Sequence, residues 1–527
     1  MTVAVSAPST DAGLIADLVG DRVASRIAAG DSTLWGPAAE DEAAIRLGWV
    51  HLYETSRPLL AEIDAFTADL RAAGLDRVVL CGMGGSSLAP EVIARTGGVE
   101  LTVLDTTDPA AVRRALSDRL ERTVVVVSSK SGSTVETDSQ RRAFEAGFRE
   151  AGIEPGGRMV VVTDNGSSLA ELAEASGYRR VFLADPSVGG RYSALTAFGL
   201  VPSALAGVDV STLLDEAAAV APALVADDPA NPALVLGAAL GGGVSSGRDK
   251  VAIADAGSGI VGFADWAEQL IAESTGKDGT GLLPIAVEGP DAPEIRWPAV
   301  DVLPALLGPT DPGGTVVAVD GPLGAQMLLW EYATAVAGRI MGINPFDQPD
   351  VESAKKAARG LLDGRPEPEP AAFVDGPVEV RATAGLLDGV ASLAAAVQAL
   401  LACLPDNGYL AVMAYLDREG VDGILAGVRR PLAMRTQRPV TFGWGPRFLH
   451  STGQFHKGGP PVGVYLQVTG DTSPDLPVPD RPFSFGELIS AQAAGDAQVL
   501  ATHGRPVLRL HLTDRKTGVA RLLEVLR

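Results

Sequence analysis

Apolar and polar positions follow two different rhythms along this chain, and the switch between them sets the predicted elements. Before residue 75 the apolar positions recur every three or four residues, over 12–29 and 40–70, the spacing of amphipathic helices. From Arg77 the pattern changes to short solid apolar runs at 77–81, 101–104, 123–127, 159–163 and 180–184. Helical patterns separate several of these runs, at 109–120 and from Val135, and another follows over 194–205. Strands apolar on both faces that alternate with helices predict a parallel sheet covered on both sides. A second such unit is predicted from about Asn231, with strands at 251–254, 283–287 and 315–318 and a long apolar helix at 326–342. Gly364-Arg-Pro-Glu-Pro-Glu-Pro370 reads as a semi-rigid linker. Beyond it come helices at 386–404 and 420–428 and strands at 409–414, 462–468 and 507–512. The expected organisation is an α/β chain with a helical segment 1–75, doubly wound units 76–210 and 211–363, the linker 364–370 and an additional C-terminal α/β domain 371–527.

Length and charge narrow what such a chain does. At 527 residues it exceeds a single core. Its net charge of −22 argues against a nucleic-acid surface, so an anionic ligand needs a local basic pocket. Two cysteines, Cys81 and Cys403, form no disulfide framework and fit a reducing cytosol. The chain shows no signal peptide and no apolar run long enough to cross a bilayer. A cytoplasmic protein without membrane partners is expected.

Candidate chemistry collects at the turns that follow the strands. Thr123-Val-Val-Val-Val-Ser-Ser-Lys-Ser-Gly-Ser-Thr-Val-Glu-Thr137 runs a buried strand into a hydroxyl-rich turn at a helix start, which is a way to build an anion site. Ser129, Ser131, Ser133, Thr134 and Thr137 are candidate donors, and Lys130 adds a charge. Gly82-Met-Gly-Gly-Ser-Ser87 is a second such turn. Ser87 stands where a dinucleotide fingerprint needs its third glycine, so Ser86 and Ser87 suit a single phosphate better. Tight strand–helix packing without a ligand is the other reading of those glycines. In Ser187-Val-Gly-Gly-Arg-Tyr-Ser193, Arg191 is set to hold a phosphate, stabilise an oxyanion, or bridge to an acid. Gln269 and Glu273 share one face of the helix predicted over 265–275, with Gly276 expected to end it in a left-handed conformation. A carboxylate at that end of the macrodipole suits a base, although most helical glutamates are merely solvated. Asp347 and Gln348 lie in a proline-bracketed loop, with Lys355 on the helix after it. The loop 443–459 gathers Arg447, His450, His456 and Lys457 without a nearby carboxylate or cysteine, so no metal site is expected there.

In their order these motifs resemble the glucose-6-phosphate isomerases of the sugar-isomerase (SIS) family over about 75–365. The likeness implies a phosphate turn at Gly85 and Ser86 and a phosphate loop in which Ser129, Ser131, Thr134 and Thr137, with Lys130, hold the sugar phosphate. It implies Arg191 as the stabiliser of an enediolate and Glu273 as the proton-transferring base beside Gln269. Gln348 and Lys355 are carried into the active site by the Asn344-Pro-Phe-Asp-Gln348 segment. The implied activity interconverts glucose 6-phosphate and fructose 6-phosphate, in glycolysis and gluconeogenesis, without cofactor or metal, in a homodimer. A related isomerase acting on mannose 6-phosphate or another sugar, and a non-catalytic sugar-phosphate regulator, are the alternatives. One element of the pattern is missing. The family's usual ring-opening histidine, supplied by the neighbouring subunit, has no counterpart at Gly321-Pro-Leu-Gly-Ala-Gln-Met327, and no histidine lies between His51 and His450. His450 or His456 is the expected substitute; the other reading makes both structural and leaves opening to Lys355. The loop around them resembles that of isomerase halves fused to transaldolase.

Overall fold

The computed structural model describes residues 3–309, 316–364 and 369–527, apart from the side chains of residues 351, 352, 354, 355 and 363. The first unit is a five-stranded parallel sheet in the order Thr102–Leu104, Arg77–Gly82, Thr123–Ser128, Met159–Asp164, Arg180–Ala184. Every residue of Arg77–Gly82 and Thr123–Ser128 is buried, which explains their unbroken apolar character. The second unit orders Val317–Asp320, Val302–Leu307, Lys250–Asp255 and Leu283–Ala286 in parallel. Ala4–Ser6 joins its edge antiparallel to Val317–Asp320, so the N-terminal segment is not purely helical. Three residues are too few to show a period. Val302–Leu307 has no counterpart among the predicted strands, and its internal Pro304 explains why: proline removes a ladder donor and weighs against a central strand.

The expected helices near the N-terminus are shorter than their periodicity suggests. The pattern over 12–29 breaks into Ala12–Gly20 and Val23–Ala28 at Arg22, which has φ of 56°. One apolar cluster runs from Leu18 to Phe346 through both units, joined by the helix Leu323–Met341, whose first sixteen residues are all buried. Residues 310–315 and 365–368 lie outside the described residues, and with them the start of the strand expected at 315 and most of the expected linker.

The C-terminal domain is a mixed six-stranded sheet in the order Phe373–Asp375, Val378–Ala382, Val507–Leu512, Gly463–Gly470, Tyr409–Ala414, Val440–Trp444. Its strand Tyr409–Ala414 faces two cores by alternation. Leu410, Val412 and Ala414 pack inside the domain, while Tyr409, Ala411 and Met413 pack with Ala272, Leu283 and Ile285 of the second unit. That shared layer seats the domain against the helix Phe263–Thr275 and brings the loop 443–459 to the carboxyl edge of the first sheet and the amino edge of the second. Its helices include Leu393–Ala402, Phe485–Thr502 and Arg515–Leu526; the second of these opens with a capping box between Ser484 and Glu487. Among the described residues no helix is long and apolar enough to cross a membrane.

Candidate active site

Gly82 and Ser128 are register partners, so the two candidate phosphate turns leave the first sheet side by side. Thr134 precedes the helix Val135–Glu150 in extended backbone, and its side chain makes no capping bond. The N–H groups of that helix start therefore remain available to an anion. Around them the Ser129 hydroxyl stands 3.2 Å from that of Thr134 and accepts from the Gly132 N–H at 3.2 Å, while the Ser131 and Ser133 hydroxyls lie 2.8 Å apart. The Thr137 hydroxyl is buried without a hydrogen-bond partner among the described residues. Lys130 turns to the wall of this cup: it pairs with Asp164 at 2.6 Å and donates to the carbonyls of Pro186 and Val188. Its charge thereby anchors the segment that leads into Arg191.

The glycines of the other turn admit protein. A Cβ on Gly85 would stand 2.0 Å from the Gly190 carbonyl oxygen. One on Gly84, at φ of 56°, would meet Gln269 Nε2 at 2.8 Å and the His450 carbonyl oxygen at 2.9 Å. Three distant segments thus converge on one tight turn, with Ser86 half-buried at its end.

Arg191 lies in the short turn Gly190–Tyr192 and is buried. Its Nε donates to the Ser274 hydroxyl at 2.9 Å, Nη1 to Gln348 Oε1 at 3.0 Å, and Nη2 to the carbonyls of Pro345 and Asp347. Glu273 Oε2 is 3.5 Å from Arg191 Nη1 and 3.4 Å from Gln269 Nε2, which also donates to the His450 carbonyl at 2.8 Å. A buried carboxylate and a guanidinium therefore meet at the end of the helix Phe263–Thr275. Gly276 closes that helix at φ of −82°, not in the left-handed region expected of it. Glycine is required there for space: a Cβ would lie 2.5 Å from the Phe455 Cα of the C-terminal domain. Lys277, which follows directly on Gly276, donates to the carbonyls of Asn344 and Asp347 and to the Asp347 carboxylate at 2.6–2.7 Å. Burial, and then the Arg191 charge, push its pKa down to about 8. Lys355 falls on the helix Val351–Gly364, but its side chain lies outside the described residues.

The two histidines of the C-terminal loop part company. His450 Nε2 is 3.0 Å from Glu136 Oε1, in the first turn of the phosphate-loop helix. His456 is packed among Tyr409, Phe448 and Tyr465, with neither ring nitrogen hydrogen-bonded among the described residues, and burial holds its pKa well below the usual histidine value. Glu136 stood inside the hydroxyl-loop motif, yet nothing local marked it as a partner for a residue 314 positions away. Among the described residues no group of three or more His, Cys, Asp or Glu side chains is placed to hold a metal.

Two parallel-sheet units that set a hydroxyl-lined helix start, a buried arginine and a buried glutamate at adjoining edges define the class: a phosphosugar isomerase, an enzyme of the aldose–ketose isomerase type. A family model for phosphoglucose isomerase matches residues 64–281. A glucose-6-phosphate isomerase of Thermosynechococcus vestitus is 29% identical over 58% of this chain and 71% of its own length. One from Rubrobacter xylanophilus is 30% identical over 60% of this chain and 89% of its own. The crystal structure of a glucose-6-phosphate isomerase from Chlamydia trachomatis shares the fold, with a TM-score of 0.55 over 69% of this chain and 89% of its own at 18% identity. The chain belongs to the phosphoglucose isomerase family.

Proposed function

We propose that the enzyme interconverts glucose 6-phosphate and fructose 6-phosphate through a cis-enediolate, a step of glycolysis and gluconeogenesis. The hydroxyl cup formed by Ser129, Ser131, Thr134 and Thr137 at the start of Val135–Glu150 receives the phosphate, and Gly85 and Ser86 border it. Glu273 takes the proton from C2 of the aldose and returns it to C1, while the Arg191 guanidinium stabilises the negative charge that develops on the enediolate oxygens. Gln269 and Gln348 fix these two groups by the hydrogen bonds they make to Glu273 and Arg191. His450 acts first, on the closed sugar: it moves the proton that opens the ring, with Glu136 holding its other nitrogen. Lys355 is assigned to the site by the family motif alone.

The observation that carries this reading is the buried Glu273–Arg191 pair at 3.5 Å. A regulator that only binds a sugar phosphate needs the hydroxyl cup but no carboxylate held against a guanidinium. The test is conversion of fructose 6-phosphate to glucose 6-phosphate by the parent chain and by Glu273→Gln, alongside proton exchange at C1 of 5-deoxyfructose 6-phosphate in D2O. That analogue lacks the hydroxyl that closes the furanose, so it reports proton transfer alone. Glu273→Gln is expected to lose about 10³-fold on both substrates. A parent chain without turnover favours the regulator, and full activity in the variant removes Glu273 as the base.

A further inference from the structure

The helix Phe485–Thr502 of the C-terminal domain carries Gln492, which is 3% exposed. Its Nε2 donates to Glu136 Oε1 at 2.7 Å, and its Oε1 accepts from the Thr107 hydroxyl at 2.7 Å. The orientation of the amide follows from chemistry: an ionised carboxylate only accepts, so the NH2 end must face Glu136 and the carbonyl end must face Thr107. The Glu136 oxygen it meets is the one that lies 3.0 Å from His450 Nε2. Two donors of the C-terminal domain, an imidazole on a loop and an amide on a helix, thus converge on one carboxylate oxygen of the first unit. An imidazole that gives its Nε2 proton to that oxygen is left with Nδ1 as the nitrogen that exchanges protons.

We propose that Gln492 is a positioning residue for ring opening: by holding Glu136 Oε1 in place, with its own amide anchored by Thr107, it fixes the tautomer and the aim of His450. The proposal rests on His450 as the ring-opening group. Thr107 follows the first-unit strand Thr102–Leu104, so the relay Thr107–Gln492–Glu136–His450 also couples the seating of the C-terminal domain to the readiness of the site. Without it, Glu136 loses one of the contacts that hold its rotamer.

The test measures fructose 6-phosphate turnover and C1 exchange on 5-deoxyfructose 6-phosphate for Gln492→Leu, Gln492→Glu and His450→Ala in the full chain. Gln492→Leu is expected to lower kcat on the ring-forming sugar about tenfold, with KM nearly unchanged, and to leave exchange on the open-chain analogue within about twofold. Gln492→Glu supplies a second readout that misfolding does not imitate. Two carboxyls at that spacing share a proton at low pH and repel when both ionise, so ring-sugar turnover should approach the parent at low pH and fall as pH rises. Equal losses on both substrates in Gln492→Leu, or none on either, overturn the role of Gln492 while leaving His450 in place if His450→Ala still loses only the ring-forming sugar. Unchanged ring-sugar turnover in His450→Ala overturns the reading of His450 and this inference with it.

Discussion

The proton-transfer side and the ring-opening side proposed for this site are built on different principles. The proton-transfer side, Glu273 with Arg191, Gln269 and Gln348, comes from residues within about 160 positions of one another in the first two units, and each lies in a motif with its own spacing. The ring-opening side, Glu136 with His450 and Gln492, joins the first unit to a separate domain across 314 and 356 positions. The first side joins the turn after Arg180–Ala184, at the carboxyl edge of the first sheet, to the C-terminal end of the helix Phe263–Thr275, at the amino edge of the second. The second depends on the C-terminal sheet being seated against the second unit through Tyr409, Ala411 and Met413. On the proposed roles, one domain interface decides whether a complete proton-transfer site can accept closed sugars.

The sharpest way to break that contrast is to remove one side and leave the other. His450→Ala is expected to lower turnover of fructose 6-phosphate about 10²-fold while C1 exchange on 5-deoxyfructose 6-phosphate stays within about twofold. Steady-state kinetics on the first and NMR-followed exchange on the second check it. Parallel losses on both substrates would show that the two sides act as one.

The contrast also explains which parts of the fold and site are legible in the sequence. The strands Arg77–Gly82 and Thr123–Ser128 are legible because burial on both faces leaves no polar position to confuse the run. The site residues Arg191, Gln269, Glu273 and Gln348 sit in compact motifs, and the structure brings them together. Gln492 had no such signal. Its helix is rich in alanine and glycine, buried on most sides, and shows little amphipathic period; the capping box at Ser484 was the one local mark. Gly276 misled for another reason, since its helix-ending position suggested backbone freedom while the actual demand comes from Phe455, far along the chain. Pro304 hid a central strand in the same way. Local rules report local physics, and what they miss here is decided by packing between distant segments.

A smaller effect separates the proton-transfer side by pH. Lys277 holds the loop carrying Gln348 through Asn344 and Asp347, and burial lowers its pKa to about 8. As pH rises through about 8 the ammonium loses its charge and one donor, the loop slackens, and turnover on both substrates should fall, by about tenfold between pH 7 and 9.5. Stability moves the other way. The folded pKa lies below the unfolded value of 10.5, so between about 8 and 10.5 the unfolded chain binds more protons, and the contribution of Lys277 to folding becomes more favourable as pH rises. Kinetics that stay flat to pH 9.5 would show that the loop does not depend on the charge.

The smallest effect belongs to His456, six positions from His450 and outside both sides. Its ring stacks at 28° on Tyr409 and meets Tyr465 at 5.3 Å between centroids, and burial keeps it neutral. Phenylalanine keeps the ring area and removes two buried nitrogens that find no partner among the described residues. His456→Phe should therefore retain turnover within about twofold on both substrates and gain about 1 kcal/mol in denaturant unfolding. The sign of the pH dependence is fixed by the same burial. The unfolded imidazole binds a proton below about 6.5 and the folded one does not, so the parent chain loses stability through this residue as pH falls from 7 to 5. The phenylalanine variant lacks that loss, and its advantage should widen over the same range. A variant that instead loses ring-sugar turnover as His450→Ala does would place His456 on the ring-opening side and make the loop a two-histidine device.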